Sequence, residues 1–315
     1  MDLARRRFLQ RAAAGLAALA LPREVIAAGE RRHLIVVFAQ GGWDVTYALD
    51  PKARPACDVP AGRRTRYPGG LEIATGPGRP SVARFFEANA SRAAVVNGLW
   101  VGSVAHVPSR VRVMTGTRSL RAPDVAAIFA ATAAERDPSL AMPYVDLGGG
   151  ARSGPLARYM GRVGATNQLV ALLDRAKATR KGKRQGLGFD PDAAERQAIA
   201  AFVERRAAAL ASGPGAAGID EYRASLGRAE ALRQSPDLRA LELGRTTSLA
   251  QQGALAIALF QAGIASAAYL DTRLDWDTHD DIADQETSHE ALFAGLVELA
   301  AALDAAGLGE RTTVA

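Results

Sequence analysis

The chain has 315 residues, 48% of them hydrophobic and 23% charged, with a single cysteine, Cys57. That balance belongs to a globular chain long enough to bury a core unaided. It excludes a disordered, collagenous or coiled-coil protein, a disulfide framework, and any cysteine-built zinc or iron–sulfur site. The formal charge of +6 is too mild at this size to argue for nucleic acid or an anionic membrane, and half of it sits in the first 28 residues.

Those residues open with Arg5-Arg6-Arg7-Phe8-Leu9-Gln10, continue into an apolar stretch over 12–21, then Pro22, and end in Ala27-Ala28. A charged start, a short apolar core and a small-residue exit make a secretory signal rather than an anchor. The order Arg-Arg-x-Phe-Leu resembles a bacterial twin-arginine signal, a receptor-read address. The expectation is removal of residues 1–28, the twin-arginine export machinery as partner, and a folded protein in the periplasm or secreted. No run reaches the ~18 apolar residues of a spanning helix without a polar break, so no stable membrane anchor is expected.

In the mature chain, residues 33–39 (His-Leu-Ile-Val-Val-Phe-Ala) form an apolar, β-branched run that reads as a strand covered on both faces. Residues 50–80, rich in Pro, Gly and Arg, read as an excursion with little regular structure. Residues 81–90 read as a helix capped by Ser81, residues 93–97 as a second strand, and 123–135 as a helix. Residues 144–147 read as a third strand closed by Gly148-Gly149-Gly150. Helical patterns fill 190–212 and 219–260, a fourth strand covers 267–271, an amphipathic helix runs over 290–306, and a fifth strand begins at Arg311. Strands alternating with helices predict an α/β domain over 29–315. Its sheet would be mainly parallel, with helices on both faces and a helical insertion at about 151–262. The basic stretch 175–184 reads as a solvated loop.

Ligands of such sheets bind beyond the carboxyl ends of the strands. The first strand ends in Gly41-Gly42-Trp43-Asp44. The glycines permit a tight turn that delivers Asp44 to the sheet edge, where its carboxylate either ligates a cation or caps the next turn. The fourth strand leads into Asp275-Trp276-Asp277-Thr278-His279. Asp275 and Asp277 stand four and two residues before His279, so carboxylate and imidazole can reach one ion. The bland alternative is an acidic loop leading into a helix. Between these lies His106-Val-Pro-Ser-Arg110, followed by apolar residues and Thr115-Gly116.

From Pro108 to Gly116 the spacing is similar to that of sulfatases in the alkaline phosphatase superfamily. In that likeness a helix amino terminus holds the first residue beside an anion, and Arg110 shapes the site by hydrogen bonds. His106 occupies the nucleophile's slot. It cannot become a formylglycine or an alkoxide, but it can ligate a metal, act as acid or base, or bind the anion as imidazolium. A capping or packed histidine is the alternative.

In this order, behind this signal, the motifs resemble the bacterial family called domain of unknown function 1501, placed in the alkaline phosphatase/sulfatase-like superfamily. The resemblance implies that fold. It also implies a divalent metal (zinc, manganese or calcium) on Asp44, Asp277 and His279, with Asp275 as a further candidate. His106 and Arg110 would then be the catalytic pair acting on an anionic phosphate or sulfate ester. The competing expectation is a non-catalytic periplasmic protein that keeps the fold and binds a partner or an anion. The superfamily's later Asp-His-Gly ligands would lie beyond Ala315, so the chain is expected to be a fragment with a weakened metal site.

Overall fold

Among the described residues five short strands pair in parallel. They are β1 (His33–Phe38), β4 (Tyr144–Asp146), β5 (Met160–Arg162), β8 (Ala267–Asp271) and β9 (Thr312–Val314), in the order β5-β4-β8-β1-β9. The computed structural model describes residues 31–57, 62–163, 179–180, 183–184, 192–210, 216–234 and 248–315. The expected signal at 1–28, most of the basic stretch 175–184 and parts of the expected helical insertion lie outside the described residues. Residues His33–Ala315 form one compact unit.

The strands alternate between two cores, because successive strand side chains point to opposite faces. Ile35, Val145, Ala268 and Leu270 face one core, closed by α1 (Pro80–Asn89), α6 (Leu249–Gln261) and α7 (Gln285–Ala305). Leu34, Tyr144, Ala267 and Tyr269 face the other, closed by Met114 of α2 (His106–Thr115) and by Ala126, Ala127 and Ala130 of α3 (Val125–Arg136). Both faces are thus covered, the condition under which parallel strands read as continuous apolar runs.

Local chemistry sets the helix ends. Asp124 caps α3, its carboxylate accepting from Ala127 N at 2.7 Å, and it also accepts from the Tyr144 hydroxyl at 2.9 Å and Arg152 N at 2.7 Å. It therefore ties α3 to the central sheet. Ser248 and Gln251 form a reciprocal capping box on α6. Gly116 ends α2 in the left-handed region, φ +68°. The helices α4 (Ala193–Leu210) and α5 (Ala216–Gln234) lie in the sequence expected to be a helical insertion.

Several expectations are corrected. Residues 93–97 form no strand: Ala94, Val96 and Asn97 are exposed, Val96 at 70%, so the run lacks the cover on both faces that its apolar pattern implied. The excursion over 50–80 carries an antiparallel pair, β2 (Arg63–Arg66) and β3 (Glu72–Thr75), and a further short pair joins β6 (Thr179–Arg180) to β7 (Lys183–Arg184). Ser81 lies inside α1 rather than capping it; its N–H and hydroxyl both donate to Glu290. Finally, α7 begins at Gln285, five residues before the expected start. Among the described residues no helix is long and apolar enough to cross a membrane.

Candidate functional site

Two loops leave the carboxyl edge of β1 and β8 side by side. Gly41 adopts φ +147°, and a Cβ there would stand 2.9 Å from the Cβ of Trp276 and 3.2 Å from the backbone N of Asp277. Only glycine admits that approach. Trp43 and the fully buried Trp276 then stack, ring centroids 5.1 Å apart and 16° from parallel. The stack fastens one loop to the other and leaves Asp277 facing outward.

Asp277 is the centre of the polar arrangement. Its Oδ2 lies 3.1 Å from His106 Nε2, and its Oδ1 lies 3.0 Å from His279 Nε2. One carboxylate therefore serves two imidazoles, one on each oxygen. The side chains are 52% (His106), 40% (Asp277) and 78% (His279) exposed, so a solute reaches all three. Asp275 supports this geometry locally, its Oδ1 accepting from Asp277 N at 3.1 Å. The hydroxyl of Ser288 in α7 donates to the carbonyl of Asp275 at 2.7 Å.

Helix α2 spans the same sheet edge. Its first residue, His106, meets the loop after β8. One turn later, Arg110 donates from Nη2 to the Gly150 carbonyl beyond β4 at 3.0 Å and lies over the ring of Phe38, 5.8 Å from its centroid, at the end of β1. The hydroxyl of Ser109 holds the preceding loop by donating to the Ser103 carbonyl at 3.0 Å. Beneath Arg110, burial raises the pKa of the Tyr269 hydroxyl, Asp271 adds to that shift, and Arg110 opposes it.

The expected metal set fares differently. Asp44 caps the turn Val45–Tyr47: its Oδ1 accepts from Thr46 N at 2.8 Å and from the Thr46 hydroxyl at 2.7 Å. The two oxygens of Asp277 are each taken by a different histidine. Among the described residues no group of three or more His, Cys, Asp or Glu side chains is placed to hold a metal ion. As arranged, Asp44, Asp275, Asp277 and His279 do not fit a bound cation, and the side chains present offer imidazole, carboxylate and guanidinium chemistry.

Two residues behind the loops escaped the sequence reading. Gln285 is buried and receives the N–H of Asp44 on its Oε1 at 3.1 Å. His289 is fully buried, its ring edge-on to Trp43 and Trp276 with centroids 5.3 and 4.9 Å away, and among the described residues neither ring nitrogen has a hydrogen-bond partner. Burial, reinforced by Arg79 and partly offset by Asp44, pushes its pKa down to about 3. The expected helix start at Glu290 hid both. A start at Gln285 would have put Gln285, His289 and Leu292 at helical spacing on one inward face.

Comparison with curated proteins and with solved structures finds no match for the chain. A family model does match it, over residues 31–315: "Protein of unknown function (DUF1501)". The chain belongs to that family.

Proposed function

We propose that this chain is an exported protein that takes a phosphate or sulfate ester at the carboxyl edge of its sheet and hydrolyses it, with His106 and His279 as an acid–base pair oriented by Asp277. The observation carrying this reading is the carboxylate shared by two imidazoles from distant elements, at the edge where α/β folds place their ligands. With a proton on each Nε2 facing the carboxylate, both Nδ1 atoms are left for other partners. Water attacks the phosphorus or sulfur, and the bond to the leaving oxygen breaks. One imidazole takes the proton of the water while the other, as imidazolium, gives its own to the leaving oxygen. The amino terminus of α2 favours negative charge beside His106. Arg110 holds the Gly150 loop and adds positive charge to the edge. The Arg-Arg-x-Phe-Leu order of the first residues supports twin-arginine export to the periplasm, and the Pro108–Gly116 spacing supports a sulfatase-like ancestry.

A second reading is binding without turnover. It is favoured by one observation: the nucleophile's slot holds His106, flanked by Ala105 and Val107, with no serine or cysteine there. One experiment separates the two. Turnover of aryl phosphate and aryl sulfate is measured with and without added zinc or manganese, alongside calorimetric binding of inorganic phosphate and sulfate. Turnover lost in His106→Ala supports the hydrolase, anion binding without turnover supports the second reading, and neither activity contradicts both.

A further inference from the structure

We infer that Gln285 is the positioning residue of this site, a buried amide that sets the loop carrying Asp44 and the loop carrying Asp277 and His279 in register with each other. Gln285 opens α7 and is only 2% exposed. Its Oε1 accepts from Asp44 N at 3.1 Å. Its Nε2 faces three acceptors: the Gly42 carbonyl at 3.1 Å, the Trp276 carbonyl at 3.0 Å and the Thr278 hydroxyl at 3.1 Å. Two of these four partners belong to the loop after β1 and two to the loop after β8, and they flank Asp277 on both sides.

No other natural side chain of this shape both accepts and donates from one end. Glutamate would keep the bond from Asp44 N but would place an oxygen against two carbonyls. Leucine would fill the space and leave four backbone or hydroxyl groups without their partner. A buried group stripped of its partner keeps its full desolvation penalty, so the loops would separate rather than stay unpaired. The amide thereby converts a fixed point on α7 into a fixed spacing between the two loops. That spacing decides where Asp277 presents its two oxygens.

The effect on anion binding rests on the reading proposed above; the loop geometry does not. The test compares wild type with Gln285→Leu, Gln285→Glu and Thr278→Val, the last removing one acceptor outside the apolar core. Thermal melts establish folding. The near-ultraviolet circular dichroism of the Trp43–Trp276 stack and the ring NMR signals of His106 and His279 report the loops without any ligand. Calorimetry with inorganic phosphate reports the anion site.

In folded Gln285→Leu or Gln285→Glu, the indole signal should collapse and the His279 signals should move. Phosphate affinity should fall about tenfold. Thr278→Val should move the His279 signals alone, by less, and decides the matter if both Gln285 variants fail to fold. Unchanged indole and ring signals in a folded Gln285 variant, or unchanged His279 signals in Thr278→Val where neither Gln285 variant folds, would overturn the inference. If wild type binds no phosphate, the anion-site reading fails while the spectra still judge Gln285.

Discussion

His106 Nε2 and Asp277 Oδ2 stand 3.1 Å apart, although one opens a helix and the other lies in the loop after the central strand β8. A pair this exposed adds little to stability, at most about 1 kcal/mol by the behaviour of surface ion pairs. Its value lies in orienting the imidazole. Asp277→Asn, His106→Ala and His279→Ala should therefore leave the melting temperature within about 2 °C of wild type. Each should cut aryl ester turnover about 100-fold, the low end of what general acid–base catalysis contributes. The doubles should lose little more than the singles, because the three act as a unit. Losses that multiply would show independent roles.

Gly41→Ala tests the contact between the loops from the opposite side. The new methyl would meet the Cβ of Trp276 at 2.9 Å in a backbone conformation that side chains disfavour. Destabilisation of about 1–3 kcal/mol is expected from overpacking, together with loss of the Trp43–Trp276 near-ultraviolet signal. Chemical denaturation and circular dichroism measure both. Wild-type values would mean the loops are not closely packed.

His289 makes stability depend on acid. Its pKa is about 3 in the folded chain, against 6.5 when unfolded. As pH falls below 6.5 the unfolded state takes up the proton first, so stability drops until about pH 3 and then levels off. At pH 5 the loss from this group is about 2 kcal/mol. His289→Phe keeps the aromatic packing and has nothing to protonate. It should be more stable than wild type at pH 5 relative to pH 7.5 by roughly that amount. Denaturation midpoints at the two pH values decide, and an identical pH slope in wild type and variant would contradict the assignment.

Much of the sheet was legible because its strands are covered on both faces. The runs at β1 and β8 are apolar but for His33 at the start of one and Asp271 at the end of the other, and β4 is closed by glycines. Residues 93–97 carry the same apolar signal but lie exposed in the fold, Val96 at 70%, so no second layer covers them as it covers the sheet strands. The Met-Gly-Arg of β5 carries no strand signal of its own; pairing with β4 makes it one. Strand ends were enough to bring Asp277 and His279 to the carboxyl edge, whereas His106 was singled out by the sulfatase-like spacing over Pro108–Gly116 and not by a strand. The strand ends already offered a turn cap as one of two roles for Asp44, the one its contact with Thr46 fulfils, but could not show that Asp277 would spend one oxygen on each histidine. Those outcomes depend on Gln285 and on the Gly41–Trp276 approach, which are contacts between distant segments.

Export has its own test. Replacing both Arg5 and Arg6 with lysine should leave the full-length precursor in the cytoplasm, because the twin-arginine receptor reads the pair. Cell fractionation measures it, and unchanged export of the variant would refute the proposed address.

In the proposed function an oxyanion is held at the carboxyl edge of the sheet beside His106 and His279, on the Nδ1 sides that Asp277 leaves open. The most direct measurement is a crystal structure of the wild-type chain with tungstate, located by its anomalous scattering. A tungsten peak is expected whose oxygens lie within hydrogen-bond distance, about 2.7–3.2 Å, of both imidazoles, and it should disappear in His106→Ala. A peak elsewhere on the surface, or none at a tungstate concentration that saturates binding in solution, would contradict it.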